Sequence, residues 1–300
     1  MTEPAHSREL ASPVTGVQYF GPGGPAEVVF LHGLGSTAHF MAPSAAFIGN
    51  TAGLDVNSVV FDLPGHGAGR SVPLTISSFD EYVGRVARSI SQLDTVPKAG
   101  LLLVGHSLGG LLVLALARDH GYERGICLID GVCFDAVDVL QRSFTGGIRE
   151  HGIELSIVAR WIALAGGIEI PNWLIEGTAS NKVGRVVGLW PYLARPTRVD
   201  GRALADGLIN SGNKTVGRGL RTICSLDVDR LLHVAAPVAV INGASDRLIS
   251  QGDRSRARQA IDPLEWFEIP RAGHLPMFDE PAEYHGALAT SIGTLLNSRA

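Results

Sequence analysis

The chain is poor in cysteine, poor in charge and without an apolar run that stays apolar across a membrane's width. Its three cysteines, Cys127, Cys133 and Cys224, are an odd number without metal-ligand spacing, which argues against a disulfide framework and for buried free thiols. Charged residues make up 18% of the sequence, the formal net charge is −4, and Lys and Arg are nowhere concentrated, so nucleic acid is not an expected partner. Met1 to Pro13 holds Glu3, His6, Arg8 and Glu9 and no apolar run, so it lacks the layout of a secretory signal and a cytoplasmic protein is expected. The most apolar stretch, Leu101 to Ala117, is broken at its centre by His106, Ser107 and Gly109-Gly110, which points to a strand, a sharp turn and a buried helix, with no membrane partner. The histidines lack spacing of the His-Glu-x-x-His kind, so no metal and no other cofactor is expected.

What the chain does hold is apolar material: 45% of its 300 residues are hydrophobic, enough for one large α/β core carrying an insertion. Short β-branched runs alternate with helical segments, the pattern of a mostly parallel central sheet flanked by helices. Strands are expected over Val14 to Phe20, Glu27 to Leu31, Ser58 to Phe61, Gly100 to Val104, Gly125 to Ile129, Pro237 to Ile241 and Leu264 to Ile269. Helices are expected over Phe79 to Leu93, Leu108 to Arg118 and, after Glu280-Pro281, Ala282 to Leu296. Between Phe134 and Val234 the alternation stops, and helices are expected over Arg149 to Ala165, Lys182 to Leu193, Arg202 to Ile209 and Val216 to Ser225. The division that follows is a core of residues 1–133 and 235–300 and a helical cap of residues 134–234 over the carboxyl ends of the strands, where open α/β sheets bind ligands.

The motif Gly105-His106-Ser107-Leu108-Gly109 stands directly between an apolar strand and an apolar helix. A serine hydroxyl is a weak nucleophile near neutral pH and must be aimed at its target beside a base, which a tight strand-to-helix turn achieves. Such a turn leaves no room for side chains two residues to either side, a demand met by Gly105 and Gly109. Acyl transfer builds negative charge on the carbonyl oxygen, and backbone N–H groups meet it best. One candidate donor is the Leu108 amide at the helix start, and the other is Leu34 in His32-Gly33-Leu34-Gly35-Ser36, which follows an earlier strand. His32 itself is expected to hold that loop by hydrogen bonds to backbone.

Asp246 and His274 each lie just past a strand, so a parallel sheet brings them to the edge that carries Ser107. The order serine, aspartate, histidine assigns Ser107 as nucleophile, His274 as general base and Asp246 as the group that orients the imidazole. Asp130, at the end of another strand on the same edge, competes with Asp246 for the acid's place. These residues resemble the α/β-hydrolase superfamily over most of the chain outside the insertion, as does Phe61-Asp62-Leu63-Pro64-Gly65-His66-Gly67-Ala68-Gly69-Arg70-Ser71, which looks like the loop after the next strand in its esterases. The resemblance implies an α/β-hydrolase fold with the cap inserted after the sixth strand of the family's fuller sheet, and a loop-bracing job for Asp62, His66 and Arg70. It also leaves a carbon–carbon bond hydrolase, or an acyltransferase, lyase or cyclase using the same triad, as alternatives, beside a non-catalytic binder on the same fold.

The cap is apolar and aromatic, so the expected partner is a hydrophobic small molecule such as an ester, thioester or lactone, handled by a monomer or homodimer. Trp161, Trp190 and Phe278 are the candidate pocket residues, and His151 and Glu154 are expected to be solvated.

Overall fold

A computed structural model describes residues 14–71, 76–166, 168–212 and 226–298. Seven strands form one sheet: β1 (Gln18–Phe20), β2 (Val28–Leu31), β3 (Ser58–Val60), β4 (Leu102–His106), β5 (Gly125–Ile129), β6 (Val238–Gly243) and β7 (Glu265–Ile269), ordered β1-β3-β2-β4-β5-β6-β7. β1 runs antiparallel to β3, and all the other neighbours are parallel. A parallel sheet covered on both faces needs apolar residues at consecutive positions, and every residue of β2, β4, β5 and β6 is buried. All seven expected strands form. β4 runs on through His106, two residues past its expected end, which brings the elbow to the sheet edge.

Successive residues of one strand serve opposite layers, because side chains alternate across a sheet. Leu103 joins the core under α2 (Phe79–Ile90) and α3 (Leu108–His120), whereas Leu102 and Val104 join the core under α1 (Ala38–Asn50) and the closing helix Pro281–Asn297. Ser78 caps α2 by accepting from the Glu81 amide, and the buried face of the helix is Phe79, Tyr82, Val83, Val86 and Ile90, the spacing of a surface helix. The Pro281–Asn297 helix starts with proline in its first turn, as its sequence demands.

Among the described residues the insertion holds α4 (Phe134–Gln141), α5 (Phe144–His151), α6 (Ile153–Gly166), α7 (Asn172–Ser180), α8 (Lys182–Leu189), α9 (Gly201–Leu208) and a short helix over Val228–Leu231, with α4 to α6 packed together and α7 against both α8 and α9. It follows the fifth strand of this sheet, since a single strand precedes β2 where the family count has two. The single helix expected over Arg149 to Ala165 is two, because Gly152 turns the chain at φ 85°. The helix expected over Val216 to Ser225, and Cys224, lie outside the described residues. Among the described residues no helix is long and apolar enough to cross a membrane.

Candidate active site

Strand β4 ends at His106 and α3 begins at Leu108, so Ser107 alone makes the turn, with φ 54° and ψ −118°. A non-glycine residue is strained there and persists only where its surroundings over-determine it. Here they do. The Ser107 amide donates to the Ile129 carbonyl at 2.9 Å, and its carbonyl accepts from the Gly110 amide at 2.8 Å. A Cβ on Gly105 would strike the Gly109 carbonyl, and one on Gly109 the Leu31 carbonyl, so only glycine fits either place.

The loop after β2 lies beside this turn. His32 Nδ1 donates to its neighbour's carbonyl, Gly33 O, at 2.8 Å, and its Nε2 accepts from the Leu63 amide at 3.0 Å. Burial and the nearby His66 hold its pKa well below the usual histidine value, so the ring is a neutral brace. Asp62 accepts from the Ala38 amide at 2.9 Å, the Ala68 amide at 3.0 Å and Thr15 Oγ1 at 3.1 Å. His66, its pKa lowered by burial to about 4, bonds to the Pro64 carbonyl at 3.2 Å. The Arg70 side chain lies outside the described residues. Among the described residues, neither the Leu34 nor the Leu108 amide has a protein acceptor.

His274, after β7, and Asp246, after β6, meet through a 2.7 Å hydrogen bond from Nδ1 to Oδ2. That bond fixes the proton on Nδ1 and leaves Nε2 with its lone pair. Ser107 and His274 line one cavity, without a direct hydrogen bond between the two side chains. Asp246 also accepts from the Leu248 amide at 2.7 Å. Burial opposes its ionisation, but His274 and these donors outweigh burial and hold its pKa below the usual carboxylate value. Asp130 behaves oppositely: its Oδ1 accepts from the Gly243 amide at 2.8 Å, and full burial, then the charge of Asp246, push its pKa well above the usual range. Asp130, Asp246 and His274 bring their polar atoms within 4.8 Å of one another, so one neutral and one ionised carboxyl stand behind the imidazole. Asp130 Oδ1, both Asp246 oxygens and His274 Nδ1 are each engaged by a hydrogen bond, whereas Asp130 Oδ2 is buried without one.

Two supports escaped sequence reading. His106 Nε2 donates to the His274 carbonyl at 2.9 Å, with its ring packed between Phe40 and His274, so the residue before the serine fixes the loop of the histidine. Asp279 accepts from the Gly273 amide at 2.8 Å and, across in the insertion, from the Ala194 amide at 2.8 Å and the Arg195 amide at 3.2 Å. The only signal for it was an acidic residue close to His274.

The cavity, of about 330 Å³, has Ser107, His106 and His274 at one side and Trp161, Leu174, Tyr192 and Leu208 among its insertion-side walls. Among the described residues no Asp, Glu, Lys or Arg lines it. Trp161 is placed there as expected from sequence; Trp190 and Phe278 are not. Trp190 lies beneath the Arg247 guanidinium, 5.6 Å from its ring, and packs into the core. Phe278 stands behind Phe40, ring centres 5.7 Å apart, and fills the space over Gly207. Of the two insertion polar groups, Glu154 is solvated as expected, with Arg247 at 3.5 Å, whereas His151 is largely enclosed and its Nε2 meets Asp138 at 2.6 Å.

The model of a family described as the alpha/beta hydrolase family matches residues 28–287. The magnesium-chelatase 30 kDa subunit of Rhodobacter capsulatus is 25% identical over 261 residues, 85% of this chain and 82% of that protein. A thermophilic esterase from Thermogutta terrifontis superposes with a TM-score of 0.62 at 18% identity, covering 94% of this chain and 93% of its own. The enol-lactonase from Burkholderia xenovorans LB400 does so with 0.58 at 17% identity, covering 94% and 96%.

Proposed function

The chain belongs to the alpha/beta hydrolase family, and from that premise we propose that it is a serine hydrolase cleaving an ester-type bond of a mainly apolar small molecule. The observation that carries this is the strained Ser107 set on the wall of an uncharged cavity beside an imidazole whose tautomer Asp246 fixes. In the proposed reaction Ser107 Oγ attacks the acyl carbon, and its proton passes to His274 Nε2. The Leu34 and Leu108 amides receive the charge that forms on the carbonyl oxygen, each donor contributing about 10²–10³ in rate. The carbon–oxygen bond then breaks, and the alcohol leaves with the proton from His274. Water attacks the acyl-enzyme in the same way, giving its proton to His274, and the acid is released as Ser107 recovers its hydrogen. Asp246 stays ionised throughout. Residues 134–234 act as the cap that selects the substrate.

A fluorophosphonate should label Ser107, and Ser107→Ala should remove labelling and lower hydrolysis of short p-nitrophenyl esters by about 10⁶. Labelling that persists in the variant would sink the reading. A second reading, favoured by the relative named as a magnesium-chelatase subunit, is that the cavity holds a ligand without turning it over, as part of a larger enzyme. Absence of both labelling and ester turnover in the wild-type protein would select it.

A further inference from the structure

One short turn of the insertion, Trp190 to Arg195, is bonded to the loops of both Asp246 and His274. Helix α8 ends at Leu189, and the amides of Tyr192 and Leu193 both close back on the Leu189 carbonyl at 3.0 Å, which leaves later carbonyls of the turn without helical partners. Arg247, the residue after Asp246, meets two of them: its Nη1 donates to the Trp190 carbonyl at 2.9 Å and to the Leu193 carbonyl at 3.2 Å. A cation at the end of a helix also complements its dipole. The far end of the turn is held by the opposite charge. Asp279 accepts from the Ala194 amide at 2.8 Å and the Arg195 amide at 3.2 Å, as well as from the Gly273 amide, just before His274, at 2.8 Å.

Tyr192 lies between these two grips. Its carbonyl accepts from the Leu275 amide, directly after His274, at 3.2 Å. Its ring lines the cavity, centred 6.4 Å from the imidazole of His274. The turn and the histidine loop are pressed together: a Cβ on Gly273 would stand 2.7 Å from the Tyr192 carbonyl oxygen and 2.8 Å from the Ala194 nitrogen. Two rings thus flank the imidazole. That of His106, at 5.0 Å, is fixed by β4, whereas that of Tyr192 belongs to the insertion and takes its place from the turn.

We infer, on the serine hydrolase reading, that Arg247 is a positioning residue for the reaction: by holding the Trp190 and Leu193 carbonyls it seats Tyr192 against the His274 loop and so sets where the imidazole stands relative to Ser107. Arg247 is not among the residues that line the cavity, so it acts through the turn and not on the substrate. Its Nε also faces Glu154 of α6 at 3.5 Å, but that side chain is 69% exposed, and an ion pair so open to water contributes little. The two charge-assisted bonds to carbonyls carry the effect. A reacting group misplaced by about 1 Å loses about 10² in rate, even when the change lies away from the chemistry.

The test measures kcat and KM on p-nitrophenyl acetate and octanoate for three variants, with kcat expressed per folded protein from urea unfolding curves. Arg247→Met keeps an aliphatic stem over Trp190 and removes the donors. It should lower kcat and kcat/KM alike, by roughly 10- to 100-fold and by the same factor for both esters, because a misplaced base is felt whatever the chain length. Arg247→Lys, which keeps one nitrogen able to donate to both carbonyls, should recover most of the loss, and Glu154→Gln should match the wild-type protein. A lower urea midpoint with kcat unchanged, a loss confined to KM or to octanoate, or a loss that lysine does not recover overturns the assignment. Failure of the hydrolase reading is distinguishable, since fluorophosphonate would then leave Ser107 of the wild-type protein unlabelled and neither ester would turn over.

Discussion

In β4 and β5 every residue is buried, and α3 continues with Leu108 to Leu116 buried in succession. In α7 and α8 only Ile175, Ala179 and Arg185 are buried, while Trp173, Val183 and Val187 stand open to solvent. The proposed reactive groups are therefore carried by the part of the molecule whose shape dense packing determines. The insertion-side wall of the cavity is carried by a part that packs on one side only. A nucleophile, its base and two amide donors must be held to about half an ångström, which rigid elements achieve. A surface that only has to exclude water and match an outline tolerates looser construction.

The comparison is broken most severely at the acid. Asp246→Asn should lower kcat by about 10⁴, because an amide no longer fixes the productive tautomer, as in the serine protease precedent. Asp130→Asn should keep kcat within about 10-fold, since Asp130 is held neutral by burial and by Asp246, and an amide keeps both an acceptor for the Gly243 amide and a donor for Asp246. Steady-state kinetics on one p-nitrophenyl ester decide the matter, and the reverse ranking would move the acid's place to Asp130.

The same contrast decides what was legible. Strands β2 to β6 could be read because a doubly covered strand writes itself as largely consecutive apolar residues, and the elbow could be read because its glycines are demanded by carbonyls that touch them; β1 and β7, only partly buried, carry aromatic and β-branched residues instead. In the insertion the pattern fails where burial is one-sided. The Arg149 to Ala165 helix breaks at Gly152, a position that apolar spacing runs straight across, and α4 and α7 were not anticipated at all. Trp190 was read as a pocket wall from its place in the aromatic insertion, and Phe278 from its place just after the His274 loop. What places them elsewhere, the Arg247 guanidinium and Gly207, lies far away in sequence. Asp279 and His106 act through backbone atoms of distant residues, contacts for which no motif exists.

Truncation should expose the unequal packing directly. Leu128→Ala in β5, at full burial, should cost about 3–5 kcal/mol, whereas Trp173→Ala, at a residue 71% exposed, should shift stability by no more than about 0.5 kcal/mol. Urea unfolding measures both, and comparable losses would show that the insertion is packed as tightly as the sheet.

The seam between the two parts carries its own pH signature. Asp253 caps the helix Gln251–Ile261, accepts from the Asp135 amide of α4 at 2.8 Å, and has its pKa raised to about 7 by burial and then by the charge of Asp135. A carboxyl whose folded pKa lies above its unfolded value binds more protons in the folded state, so its contribution is full below about pH 4 and falls as pH rises to about 7. The loss across that window should be about 2–4 kcal/mol, and Asp253→Asn should flatten the urea midpoint's dependence on pH. A midpoint that rises between pH 4 and 7 and is unmoved by the substitution would contradict it.

The smallest effect separates the two exposed tryptophans of the insertion. Trp161 and Trp173 are both partly open to solvent, but only Trp161 also lines the cavity. Trp161→Ala removes apolar surface that a long acyl or alcohol chain would cover, so the ratio of kcat/KM for p-nitrophenyl octanoate over acetate should fall by about 10-fold, the scale of one to two buried methylenes. Trp173→Ala should leave that ratio unchanged. Acetate offers Trp161 an acyl chain of only two carbons to cover, so its own kcat/KM should hold in both variants, and a fall there would mean that Trp161 positions Ser107 or His274 rather than the chain of the substrate.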